Sequence, residues 1–251
     1  MYDYFLGGSH NFASDRALAA QLNRLAPNIG DTMRSNRHVL RRAIQYIVGD
    51  QGVRQLLDIG SGIPTAGNVH EVAQQIDPRA TVVYVDIDPV AVAHSQQILR
   101  GNDRATAVQG DVRDVADIVR MPEVDALLDF SQPVAVLLAG ILHFVADADD
   151  PYGVMAALRE ALVPGSHVVI SHSSGDDQPP EVFDALTVTN NSGFNPLVLR
   201  SRGDILRMFD GFDLADPGLV RLPYWRPEEP SDLDEHAPRN IAFGGVGRKP
   251  S

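Results

Sequence analysis

Between residues 53 and 172, short apolar runs alternate with amphipathic stretches, and this alternation limits the possible folds more than any other feature of the chain. The runs at 53–59 (VRQLLDI), 81–86 (TVVYVD), 105–110 (ATAVQG), 134–142 and 166–172 (SHVVISH) predict strands. Between them, 62–76, 89–100, 112–120 and 151–162 read as helices. The second of these has the clearest boundaries, with Asp88 at its N-cap, Pro89 at its first position and Gly101 just beyond its end. Strands that are apolar on both sides, separated by helices, predict an α/β fold with a parallel sheet covered on both faces.

The flanks extend this pattern without a linker, so the 251 residues read as one domain. Helices are expected at 14–26 and 31–48, each opening on a capping residue and closing at Pro27 or Gly49. After 173 come helices at 181–187 and 204–209 and strands at about 212–220 and 240–247, with a Pro-rich acidic loop between the strands. Three regions result: a helical segment at 1–50, a core at 51–175, and later elements at 176–251.

A formal net charge of −12 disfavours nucleic acid and anionic membrane as partners, since both require clustered cations. With no cysteine, thiolate nucleophiles and Cys-ligated metals are excluded. The longest apolar run, 134–142, is far short of the ~18–20 residues of a membrane span. The first residues carry none of the marks of a secretory signal, so a cytoplasmic protein is expected.

In an open parallel sheet, ligands bind outside the carboxyl ends of the strands. The first three strands each place an acid there: Asp58 in LLDIGSG, Asp86 in YVDIDP and Asp111 in QGDVRD. Gly60 and Gly62 allow a tight turn and close approach of a ligand to the backbone. The third glycine of a dinucleotide fingerprint is replaced by Thr65, and Asp58 would repel a pyrophosphate while attracting a cation. Asp86, 24 residues after Gly62, stands where an acid accepts from ribose hydroxyls, and Asp111 is placed to accept from an adenine amine. A nucleoside with a positive charge and no phosphate is S-adenosylmethionine.

These segments resemble the three cofactor motifs of class I S-adenosylmethionine-dependent methyltransferases. YDYFLGGSHNFASDR, RSNRHVLRRAIQYI, DIGSGIPTAGNVHEVAQ, VLLAGILHFVADADDPYG and the ending GGVGRKP are similar to an actinobacterial S-adenosyl methyltransferase family over nearly the whole chain. The resemblance implies a Rossmann-like, seven-stranded, mostly parallel sheet whose last strand, near 241–246, is antiparallel. It also implies a cofactor site of Asp58, Gly60, Ser61, Gly62, Asn68, Asp86, Ile87, Asp111, Val112 and Gly140, with residues 51–175 as the cofactor-binding core.

Gly140 and His143 follow the fourth strand, where this superfamily meets its methyl acceptor. His143 is a candidate general base, or else a packing residue. His172, at the end of the fifth strand, is a weaker candidate on the substrate side. Tyr2, Tyr4 and Phe5, next to Gly7 and Gly8, read as a lid over the cofactor. Arg16, Arg34 and Asn36 are candidate partners for the cofactor's carboxylate. Tyr224 and Trp225 either line an acceptor pocket or anchor their loop. Asp147, Asp149, Asp150, Asp176 and Asp177 read as helix caps, and no metal is assigned. The reading is a methyltransferase with a small-molecule acceptor. The alternatives are an NAD-dependent dehydrogenase and a non-catalytic regulatory protein that binds the cofactor. Oligomeric state is not legible.

Overall fold

The computed structural model describes residues 2–7, 13–25, 29–63, 68–191, 196–228, 233 and 237–251. Its strands are β1 (Gln55–Ile59), β2 (Thr81–Asp86), β3 (Ala105–Gln109), β4 (Val134–Ala139), β5 (His167–Ser173), β6 (Asp213–Leu214), β7 (Val220–Arg221) and β8 (Ala242–Arg248). The helices are α1 (Tyr2–Phe5), α2 (Ala13–Leu25), α3 (Ile29–Ile44), α4 (Val69–Ile76) and α5 (Pro89–Ile98). They continue with α6 (Val115–Ile118), α7 (Pro122–Asp125), α8 (Pro151–Ala161), α9 (Pro180–Asn190) and α10 (Arg202–Arg207). A π-helical turn, Gln45–Asp50, prolongs α3.

The sheet runs β3-β2-β1-β4-β5-β8-β6, with β7 also pairing β8. Strands β1 to β5 are mutually parallel, and β8 lies antiparallel to β5, pairing His167 with Arg248 through Ser173 with Ala242. Successive side chains of a strand point to opposite faces. Leu57, Ile59, Val83, Val85, Val136, Leu138, Val168 and Ile170 accordingly enter one core with residues of α6, α8 and α10. Leu56, Val82, Tyr84, Ala135, Leu137 and Val169 enter the other, with residues of α3, α4 and α5. Burial on both faces explains why the strands read as continuous apolar runs.

The chain leaves β1 toward β2 on one side and returns through β4 on the other. This is the switch point at which an open sheet forms its ligand crevice. Among the described residues, no helix is long and apolar enough to cross a membrane.

Several expected boundaries shift, each for a local reason. The helix expected from residue 62 begins at Val69, since Gly60 and Gly62 adopt φ of 75° and 62° and Asn68 occupies the N-cap. The helix expected at 112–120 is two short helices separated near Pro122, which opens the second. Strand β4 stops at Ala139 because Gly140, with φ 78°, turns the chain into the 3-10 helix Leu142–Phe144. The strand expected at about 212–220 is broken in two. Pro217 lacks an N–H for the ladder and Gly218 turns with φ 85°, so the sheet has eight strands rather than seven.

Candidate active site

The crevice is built from the loops that leave β1, β2, β3 and β4. The amides of Gly60 and Ser61 donate to the carbonyl of Val85 at 2.8 and 3.2 Å, and the Gly62 amide donates to Asp86 Oδ2 at 2.7 Å. The other carboxylate oxygen of Asp86 accepts from the Asp88 amide at 2.9 Å. Asp88 in turn caps α5 through Val90, at 2.8 Å. The Gly110 amide donates to the Asp86 carbonyl at 3.0 Å, which joins the third loop to the second. Asp86 is thus the knot of the crevice, fixed by two amides, and each of its oxygens keeps a further lone pair.

Asp58 is 6% exposed. Burial pushes its carboxyl up to about 7; the nearby Arg37 charge opposes the shift and Asp86 adds to it. Gly60 stands against the fourth loop so closely that a Cβ there would lie 2.4 Å from Ile141 Cγ1. On the other side of that contact, a Cβ on Gly140 would lie 3.3 Å from Asn36 Nδ2 of α3. Asn36 Oδ1 accepts from the Ser171 hydroxyl at 2.5 Å, so α3 is pinned over the ends of β4 and β5. Asn68 is buried at the start of α4, its amide donating to Glu71 Oε2 at 3.0 Å. Among the described residues, its Oδ1 has no hydrogen-bond partner.

Ile87 is 48% exposed beside Asp86, an apolar side chain left uncovered, whereas Val112 is buried. Asp111 is not a free acceptor: it receives the amide and guanidinium of Arg113, and that pairing holds its carboxyl below the usual range. The expected reach to an adenine amine therefore has to share the carboxylate with Arg113.

His143 sits on the 3-10 helix Leu142–Phe144 with 9% exposure, its ring edge-on to Phe144 at 4.5 Å and to His172 at 5.5 Å. Burial, His172 and Arg200 push its pKa well below the ordinary value, so the imidazole is neutral. His172 is 1% exposed. Its Nδ1 bonds the Ser173 carbonyl at 2.7 Å and its Nε2 lies 2.9 Å from Arg200 Nη1. An arginine can only donate, so Nε2 accepts and Nδ1 carries the proton. With both ring nitrogens engaged, His172 is a structural link and has no atom left for a substrate.

Arg200, which has no signature in the sequence, is buried and donates to the carbonyls of Leu142 at 3.1 Å and Val145 at 2.8 Å and to Asp147 Oδ1 at 2.6 Å. It clamps the loop that carries His143 onto β5. Neighbouring acids have similar structural duties. Asp150 caps α8 through Gly153 at 2.9 Å, Asp176 accepts from the Arg202 amide at 2.6 Å, and Asp149 and Asp177 pair with Arg113 and Arg221.

Of the lid residues, Tyr4 is 40% exposed and Phe5 is buried; the side chain of Tyr2 lies outside the described residues, as does Gly8. Tyr4 and Phe5, with Ala20, Asn23, Gly30 and Arg34, line a cavity of about 630 Å³ between α1, α2 and α3. Trp225 is fully buried, edge-on to Tyr46 at 6.2 Å, and its carbonyl accepts from Arg42 Nε at 2.8 Å. It anchors its loop and lines no acceptor pocket.

The model of the S-adenosyl methyltransferase family matches residues 1–250. The chain belongs to this family. Its methyltransferase fold is close to that of a DUF574 family protein from Streptomyces avermitilis, at 35% identity over 99% of this chain and 95% of that one, with a TM-score of 0.94. A candidate methyltransferase from Thermobifida fusca is 36% identical over 100% of this chain and 93% of that one, with a TM-score of 0.92. The N-methyltransferase NodS of Bradyrhizobium japonicum, in complex with S-adenosyl-L-homocysteine, shares the fold at 12% identity, covering 96% of this chain and 100% of that one, with a TM-score of 0.52. No curated protein matched the chain. Membership makes this methyltransferase an S-adenosylmethionine-dependent enzyme and sets aside the dehydrogenase and non-catalytic readings.

The crevice of the methyltransferase fits that cofactor on its own chemistry. Two carboxyl groups and a glycine turn make a site rich in acceptors and negative charge. Such a site suits a cation bearing an amine and hydroxyls and disfavours a phosphate.

Proposed function

We propose that the methyltransferase transfers a methyl group to a small molecule, with the cofactor in the crevice just described. The observation that carries this reading is the pair of acids, Asp58 on β1 and Asp86 at the end of β2, beside the switch point of the sheet, close enough for Asp86 to act on Asp58. Asp58, Gly60, Ser61, Gly62 and Asn68 would surround the methionine end and Asp86 would accept from the ribose. Asp111 and Val112 would hold the adenine, and Ile87 and Gly140 would complete the cofactor site. When bound, the cofactor supplies an electrophilic methyl group on a positively charged sulfur.

The chain's own task is then positioning and exclusion of water, which provide most of the acceleration in an in-line displacement. Asn36 and Ile141 fix the α3 and β4 sides of the crevice against Gly140 and Gly60. His143, kept neutral, would take the proton released from an O–H or N–H acceptor. A weak base suffices there, since such a proton becomes strongly acidic as the new bond forms. The acidic surface supports a small-molecule acceptor over nucleic acid. The cytoplasm, where S-adenosylmethionine is made, is the matching compartment.

The test is to incubate the protein with methyl-labelled S-adenosylmethionine and an actinobacterial cell extract separated by size. Label is expected in the low-molecular-weight fraction. Label confined to protein or RNA would overturn the assignment of acceptor class.

A further inference from the structure

We propose that the cavity between α1, α2 and α3 is the acceptor subsite and that it takes a planar aromatic carboxylate, a proposal that rests on the small-molecule reading above. At about 630 Å³ the cavity lies within the ~300–1,000 Å³ usual for small-molecule sites. Among the described residues its lining is chemically simple: Tyr4 and Phe5, edge-on to one another at 5.8 Å, the small residues Ala20 and Gly30, the amide of Asn23, and one charged residue, Arg34. Aromatic walls with a single guanidinium are suited to a flat apolar body ending in a carboxylate, which arginine binds through paired N–H donors.

Gly30 indicates why the space exists. A Cβ there would lie 3.4 Å from both Arg34 Nη1 and Phe5 Cδ1, so this position is the floor on which the guanidinium and the phenyl ring converge. A Cβ would just touch both groups, so a larger, branched side chain at this position would fill the floor. Arg34 is held in place by donating to the Phe5 carbonyl at 3.4 Å and by pairing with Asp31. A guanidinium has five N–H donors, so these contacts leave others for a ligand. The Asp31 pair is solvent-exposed, 54% and 33% on its two side chains, and such pairs are weak. An incoming carboxylate can therefore displace it.

Helix α3 links this subsite to the methyl donor's crevice. Gly30, Arg34 and Arg37 fall at helical spacing on one side of α3, and Arg37 acts on Asp58. From Arg34 to Arg37 is about 4.5 Å along the helix axis, at 1.5 Å per residue. Asn36, not Arg34, touches the Gly140 edge, which leaves Arg34 to the acceptor rather than to the cofactor's carboxylate.

The experiment uses the full chain saturated with S-adenosylhomocysteine and titrated calorimetrically with salicylate and 2-naphthoate, each compared with its neutral amide. The carboxylates are expected to bind about tenfold or more tightly than the amides. Arg34→Gln should erase that preference, Arg34→Lys should restore part of it, and Gly30→Val should remove binding of all four probes. All three variants should keep their circular dichroism and an S-adenosylhomocysteine affinity within about twofold of the parent. If the loaded protein shows no preference for carboxylates, or if Arg34→Gln weakens S-adenosylhomocysteine and spares the probes, the subsite is overturned while the cofactor crevice stands. If the parent protein fails to bind S-adenosylhomocysteine, the underlying reading falls and the subsite falls with it.

Discussion

Asp58 carries a carboxyl whose chemistry departs far from that of a free aspartate. Buried and pushed up to about 7, its carboxyl is partly protonated near neutrality, and a cationic ligand must bind the ionised form. Affinity for S-adenosylmethionine should therefore rise as pH increases from about 6 to about 8, and Asp58→Asn should weaken binding and flatten that dependence. Calorimetric titration across this range is the check; a pH-independent affinity in the parent protein would contradict the assignment. Asp58, Asp86, Gly60 and Gly62 were legible in the sequence because turn chemistry is local, acids and glycines following short apolar runs. His172 and Trp225 were not. Whether a histidine faces a ligand or an arginine, or a tryptophan a pocket or a core, depends on partners far away in the chain. For His172 that partner is Arg200, 28 residues later.

At the level of elements, Arg200 fastens the β4 loop to β5 through two carbonyls and His172. Replacing it by methionine would leave buried carbonyls without donors, at about 1–3 kcal/mol each. A loss of about 2–4 kcal/mol should lower the melting temperature by roughly 4–16 °C, since about 2–4 °C accompanies each kcal/mol in a chain of this size. Scanning calorimetry of Arg200→Met provides the measurement, and a shift below about 2 °C would show that the clamp contributes little. Strand β2 lies where its apolar run ends, at Asp86, and α5 opens at its Asp88 cap and Pro89. The split of β6 from β7 was less visible, because Pro217 and Gly218 interrupt a run whose apolar pattern continues across them.

Across the whole molecule, buried histidines set the response to acid. Burial drives His167 and His172 down to about 4, and His143 lies well below its ordinary value. In the unfolded chain these groups take up protons near 6.5, so the unfolded state binds more protons below that pH and stability falls as pH drops from about 6.5 to about 4. Asp58 acts in the opposite sense: its raised pKa stabilises the folded state below about 3.8 and loses that contribution as pH rises toward about 7. With His70, which burial also lowers, four histidines outweigh one aspartate, so the melting temperature should fall steadily between about pH 6.5 and about pH 4.5. A flat profile by differential scanning fluorimetry would contradict this balance.

The net charge of −12 likewise acquires a local meaning under the proposed function, since Asp58 and Asp86 bring part of it to the switch point where a cationic nucleoside would bind. Calorimetric titration of S-adenosylhomocysteine into the full chain, parent against Asp86→Ala, tests that placement most directly. One-to-one binding by the parent is expected, weakened about tenfold or more in Asp86→Ala, which should keep its circular dichroism. Equal affinity in the two proteins would show that the cofactor does not occupy this crevice.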